Sequence, residues 1–203
     1  MDIFLIAVFI ATGVYLLNTQ EQRKRIALLA SHLGQYQIEK RMETLTEGYL
    51  RALGETDPQR QAQIWQLLRN TELQISEQFS RFAAGFAAVE EAEARVSRWA
   101  VPLPLATRLF PRATFDMRQA LALHAQGIAR QVADPAPASL RDHAFTLSAE
   151  LFLMQHTCHW FCKSKAIATA RMLARHQTPH AQLVASVSPE TRRAYLALVQ
   201  ENS

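Results

Sequence analysis

Six glycines in 203 residues, with no Asn-Gly or Asp-Gly pair, leave this chain without the tight turns that antiparallel sheet requires. β-Branched runs are equally scarce, which excludes sheet as the organising architecture. The chain also lacks Gly-x-Ser-x-Gly, a Walker loop, a dinucleotide fingerprint, His-Glu-x-x-His and the Glu-x-x-His of di-iron bundles. These absences remove the recognisable hydrolase, nucleotide, zinc-protease and di-iron chemistries, and leave only an enzyme built on an unrecognised site. Lysine is short as well, four against eighteen arginines, and alanine is abundant. That balance fits a GC-rich genome and hence a bacterial source.

One long hydrophobic run is present. Residues 1–17 read MDIFLIAVFIATGVYLL and are followed almost at once by Glu21-Gln22-Arg23-Lys24-Arg25. The run from Ile3 to Leu17 has fifteen residues, and it approaches the roughly 17 to 25 that span a bilayer only with Asn18 to Gln20 counted. A secretory signal would carry a basic n-region and a small-x-small cleavage site. Here Asp2 precedes the run and Leu16-Leu17-Asn18-Thr19 ends it. A buried core helix suits shorter runs without a basic exit. We therefore expect an uncleaved single-pass anchor over residues 1–20, contacting lipid through residues 3–20. Arg23, Lys24 and Arg25 follow the span, so the positive-inside rule puts the bulk of the chain in the cytoplasm of a bacterial inner membrane. In that reducing compartment Cys158 and Cys162 are free thiols.

The remainder is close to one domain in size, and its apolar residues recur at three and four. The expected fold is all-α: a transmembrane helix, a membrane-proximal helical segment over 21–55, and a bundle over 56–203, with about five main helices. The stripe Ile26, Leu29, Leu33, Tyr36 is out of phase with Ile38, Met42, Leu45, Tyr49, Leu53, which predicts a bend at Gly34 and a glycine cap at Gly54. Thr56-Asp57-Pro58-Gln59 opens the next helix, expected to reach the nineties with Leu68, Ile75, Phe79, Phe82, Phe86 and Val89 as its seam and Asn70-Thr71 as its weak point. Pro102, Pro104 and Pro111 mark a packed connector. Thr114 is the expected cap of a helix ending at Asp134-Pro135-Ala136-Pro137-Ala138. Ser139 and Asp142 open a central helix extending to about His176, apolar on both sides, and Ser188-Pro189-Glu190 starts a last short one.

Unusual chemistry is confined to His156-Thr157-Cys158-His159-Trp160-Phe161-Cys162. On a helix Cys158 and Cys162 share a face with His159 close by, and His124, on the stripe Met117, Leu121, His124, Ile128, could supply a further donor from the preceding helix. Against a metal site stands the missing second ligand pair, and Cys-x-x-Cys-His, the c-type haem motif, is not present. Buried cysteine packs as a small hydrophobe, so the reading preferred here is core packing with no cofactor. His143, His176 and His180 fall near helix ends, where capping or solvent contact is the expected role, and His32 is expected on the membrane-proximal surface.

Charge divides unevenly. Residues 26–97 carry seven basic and ten acidic side chains, residues 98–176 ten basic and four acidic. The two halves can complement each other, or the basic half can meet lipid headgroups or an acidic partner. The arginines are too scattered for a nucleic-acid interface. The function expected is a membrane-tethered adaptor or scaffold with a protein partner or self-association. A metal- or haem-binding protein is the alternative, and an enzyme comes third.

Overall fold

The computed structural model describes residues 2–134 and 139–200. Among them are ten α-helices and one two-stranded ribbon. The first, α1 (Asp2–Leu33), runs unbroken for 32 residues, about 48 Å at 1.5 Å per residue. From Ile3 it is long and apolar enough to cross a membrane, and none of its most apolar window is buried. Farther along, it joins the bundle through Asn18, Gln22, Arg25, Leu29 and His32, a four-three spacing that keeps one face inward. Of the expected stripe, Leu29 is buried and Leu33 and Tyr36 pack against the core, whereas Ile26 is exposed.

The phase change at Gly34 is a turn rather than a bend, and α2 (Ile38–Gly54) starts afresh. Its buried face is Ile38, Met42, Leu45, Tyr49 and Ala52. Gly54 remains helical and Glu55 ends the helix in extended conformation, so the expected left-handed glycine cap is not used. Asp57 caps α3 (Pro58–Phe86), its carboxylate accepting from the Gln59 amide at 2.8 Å. The helix passes through Asn70-Thr71 without a break and buries the expected seam from Leu68 to Phe86, while Val89 is buried just beyond its end. It pairs antiparallel with α2 at very close range. A Cβ on Gly48 would come within 2.3 Å of the Leu68 side chain.

Instead of continuing through the nineties, α3 stops at Phe86. A short α4 (Glu91–Ala94) leads into β1 (Arg95–Ser97), which pairs with β2 (Thr114–Asp116) in the register Val96 opposite Phe115. Phe115 meets Trp160 edge to face, and the Trp160 indole donates to the Ser97 carbonyl at 2.9 Å. Between the strands runs the proline-containing connector, with α5 (Ala106–Leu109) and one 3-10 turn at Pro111–Ala113. Leu105 adopts a left-handed conformation (φ 59°), which costs a side-chain-bearing residue about 1 to 2 kcal/mol. Its amide donates to Glu21 of α1 at 3.0 Å, and the Asn18 amide donates to the Pro102 carbonyl at 3.2 Å.

Asp116, not Thr114, caps α6 (Met117–Ala133). Thr114 is paired in β2 and its hydroxyl donates to the Pro111 carbonyl. The Pro135-Ala136-Pro137-Ala138 stretch expected to end α6 lies outside the described residues. Ser139 caps α7 (Leu140–Cys162) as anticipated. That helix is central, packing against α1, α2, α6, α8 and α9. It does not reach His176. At Ser164 the backbone is extended, the hydroxyl accepts from the Ile167 amide, and the Ala166 amide donates to the connector's Ala100 carbonyl, so α8 (Lys165–His176) begins as a separate helix. Both helices face the same core, which is why the apolar period runs through the break. The chain closes with α9 (His180–Ser186) and α10 (Pro189–Val199), the latter capped by Ser188.

Because Leu151 is fully enclosed, Leu151→Ala should lower unfolding free energy by about 2 to 5 kcal/mol. Leu67→Ala, at a position 70% exposed, should change it by less than about 0.5 kcal/mol. Denaturant titration of the two variants measures the contrast, and equal small effects would remove α7 from the centre of the bundle.

Candidate functional site

Cys158 and Cys162 lie one turn apart on α7, while His124 and His159 each have another partner. His124 is fully buried on α6 with Nε2 2.9 Å from the Thr157 hydroxyl. That hydroxyl donates to the Leu153 carbonyl at 3.0 Å, so it accepts from His124 and fixes the proton on Nε2. Cys158 lies against the Met154 sulfur at 4.0 Å. Cys162 is half-buried near Arg25 and Lys163. His159 faces outward, with Nδ1 3.4 Å from the Arg171 guanidinium. Among the described residues no three His, Cys, Asp or Glu side chains gather closely enough to hold a metal ion. Burial raises both thiols, Cys162 to about 11 despite the pull of Arg25 and Lys163, so each is protonated at neutral pH.

What the fold does gather is a buried polar belt with three parts. In the first, Glu72 of α3 receives the Tyr49 hydroxyl at 2.6 Å and the Arg69 guanidinium at 3.1 Å, while His143 Nε2 lies 3.1 Å away. Burial alone would raise this carboxyl; the hydrogen bonds from His143 and Tyr49 outweigh it and hold Glu72 below its ordinary value. The second part is Glu150 of α7, fully buried, accepting from the Ser188 amide at 3.1 Å and the Ser188 hydroxyl at 2.8 Å. Gly127 of α6 makes room for it, since a Cβ there would sit 2.6 Å from Glu150 Oε2 and 2.5 Å from the Thr191 hydroxyl. Burial raises the Glu150 carboxyl above the usual range, although the Ser188 and Thr191 hydroxyls offset part of the effect.

The third part links α6, α7, α8, α9 and α10. His124 approaches the Tyr195 ring, His180 Nε2 lies 3.3 Å from the Tyr195 hydroxyl, and the His180 and His156 rings are 4.3 Å apart. His156 Nε2 reaches the Thr169 hydroxyl at 3.1 Å. Burial pushes His124 down to about 3. Burial, then the neighbouring charge of His180, brings His156 to about 3, and burial with Lys165 nearby brings His180 to about 4. All three imidazoles are neutral in the fold near neutral pH, so they act as directional hydrogen-bonding groups that set how five helices meet.

The sequence reading missed Glu72, Glu150, Tyr49 and the pairing of His143 with Glu72. A signal existed: Glu72 interrupts the seam between Leu68 and Ile75, and Glu150 sits between Leu147 and Leu151. A carboxylate on an apolar stripe requires a partner from another element. His176, at the end of α8, stacks on Phe152, and His32, in the last turn of α1, meets Phe86 edge on, both while partly exposed.

A second feature is an apolar groove of about 490 Å³ between α2, α7 and α9, lined by Tyr49, Leu50, Leu53, Phe145, Phe152 and Leu183 among others. Leu50 and Phe145 stand 74% and 59% exposed at its mouth, and Thr46, Ser148, Gln182 and Ser186 supply an uncharged polar edge. Comparison with protein-family models, curated proteins and solved structures finds no match to this chain.

Unfolded histidine titrates near 6.5, so between that pH and about 3 to 4 the unfolded chain binds protons that His124, His156 and His180 refuse. Stability should fall as pH is lowered through this window by about 1.4 kcal/mol per pH unit for each histidine kept neutral. Glu150 acts in the opposite sense, its contribution declining as pH rises between about 4.5 and its raised folded value. Denaturant midpoints from pH 7 to 4.5 test the net slope. His156→Gln should make it shallower, and a flat profile would show that the imidazoles protonate in place. Separately, replacing Cys158 and Cys162 together by alanine should cost about 1 to 3 kcal/mol, equally with and without a chelator. One equivalent of zinc, iron or haem on the native chain, lost in that variant and in His124→Ala, would instead make the cluster a metal centre.

Proposed function

We propose that this chain is a single-pass protein of the bacterial inner membrane whose helical bundle faces the cytoplasm and holds protein partners at the membrane surface. The observation that supports this reading is a pair of unfilled apolar surfaces, the unburied first half of α1 and the groove between α2, α7 and α9. A groove with aliphatic and aromatic walls and a neutral polar edge suits the apolar face of an amphipathic helix, whose anchors recur at i, i+3 or i+4, and i+7. Tethering raises the effective concentration of such a groove toward other membrane proteins, so a modest intrinsic affinity suffices. The orientation rests on Arg23 and Lys24, which are exposed just beyond the apolar stretch. Metal or haem binding through Cys158, Cys162, His159 and His124 rests on ligand types alone.

Reporters fused after Ser203 should be active only where they function in the cytoplasm. A photocrosslinking residue in place of Leu50 or Phe145 should give discrete membrane-protein adducts in cells, and one in place of exposed Leu73 of α3 should not. Periplasmic reporter activity would overturn the orientation, and adducts no different from those at position 73 would overturn the groove as the partner site.

A further inference from the structure

The connector between β1 and β2 has an alternating surface. Val101, Leu103 and Leu105 are exposed while the residues between them, Pro102 and Pro104, are half-covered and Ala106 is buried; Leu109 and Phe110 then project outward again. Five large apolar side chains are exposed within ten residues, and such clustering marks an interaction surface. The segment is also fastened beside the exit of the apolar helix. Asn18 bonds the Pro102 carbonyl, Glu21 holds the left-handed Leu105 amide, and the two elements wall one small cleft with Trp99, Lys163 and Arg25. Trp99 packs on Phe110 with ring centroids 4.8 Å apart, the amphipathic aromatic type found at headgroup level.

The charged residues of the connector are all basic. Arg108 and Arg112 are exposed within it, Arg23 and Lys24 are exposed on the turn of α1 that follows Glu21, and Lys163 lines the cleft that α1 shares with the connector. The Glu21 carboxylate on that turn accepts from the Leu105 amide. Exposed apolar side chains ringed by arginine and lysine match the boundary of a bilayer containing anionic lipid.

We propose that residues 101–110 form a second, monotopic membrane contact, in which Leu103, Leu105, Leu109 and Phe110 enter the acyl boundary and Arg108 and Arg112 bind anionic headgroups. This inference rests on the reading of α1 as a membrane anchor. Two contacts fastened to each other remove the freedom of the bundle to swing about a single helix. The bundle is then held at one tilt on the membrane.

The test reconstitutes the full chain into vesicles of mixed phosphatidylcholine and phosphatidylglycerol brominated along the acyl chain. A fluorophore is placed at Leu109→Cys, Leu50→Cys or Ile10→Cys, with Cys158 and Cys162 replaced by alanine. Position 109 should lie about 5 to 10 Å into the boundary and be quenched like position 10, while position 50 should report only water. Quenching at 10 together with a water-exposed signal at 109 overturns this inference and leaves the anchor standing. Absence of quenching at 10 overturns both. A label at 109 shielded from water but not reached by brominated lipid would place a second copy of the chain on this face and also overturn it. A second measurement keeps the native cysteines: brominated lipid should quench part of the intrinsic tryptophan fluorescence, and Trp99→Phe should abolish most of that part. Quenching unchanged by Trp99→Phe counts against the connector.

Discussion

One helix is shared between two environments, and the rest of the architecture depends on that continuity. α1 passes without interruption from a stretch with no protein around it into a face held by Gln22, Arg25 and Leu29. The Lys163 ammonium donates to Gln22 at 2.9 Å, and the Arg25 guanidinium reaches the Phe161 carbonyl and lies 5.7 Å from that ring. A helix in register with both surroundings cannot rotate for one without disturbing the other. Flexible attachment would need a glycine- or serine-rich linker, and none lies between the apolar run and the bundle.

Inside the bundle the apolar core supplies the driving force, but polar pairs restrict the arrangement. Leucine and phenylalanine ridges can slide by one turn at small cost, whereas Glu72 without Tyr49 and His143, or Glu150 without Ser188, would be a buried group lacking its partners. Glu72 ties α3 to α2 and α7, and Glu150 ties α7 to the start of α10. Gly127 completes the second junction by letting α6 approach where any side chain would collide. The register of most long helices is thereby specified by groups that contribute little to gross burial.

Much of the helical skeleton was legible in the sequence, because amphipathic period and capping residues are local. The seam from Leu68 to Val89 and the caps at Asp57, Ser139 and Ser188 are of this kind. Three features were not. The ribbon of Arg95–Ser97 with Thr114–Asp116 has strands too short to show an alternating pattern. The break at Ser164 is hidden because apolar residues on either side face one core, and its extra hydrogen bond comes from Ala100, more than sixty residues away. The polar belt was missed since each histidine was weighed alone or as a ligand. Its partners lie on other helices, and no local spacing reports that His143 will meet Glu72 or that His180 will meet His156.

The lengths of the helices set a height. Phe145 at the groove and Phe161 beside Arg25 are sixteen residues apart on α7, about 24 Å along its axis. The α2–α3 pair runs the same way, away from the end that receives α1. If α1 is the anchor proposed above, a groove carried at that standoff works as a ruler: a segment emerging flush with the membrane would not enter it, and one raised on its own stalk by a similar distance would come level with Leu50 and Leu53. Selection among neighbours in a crowded membrane would then be made by elevation before any side chain is matched.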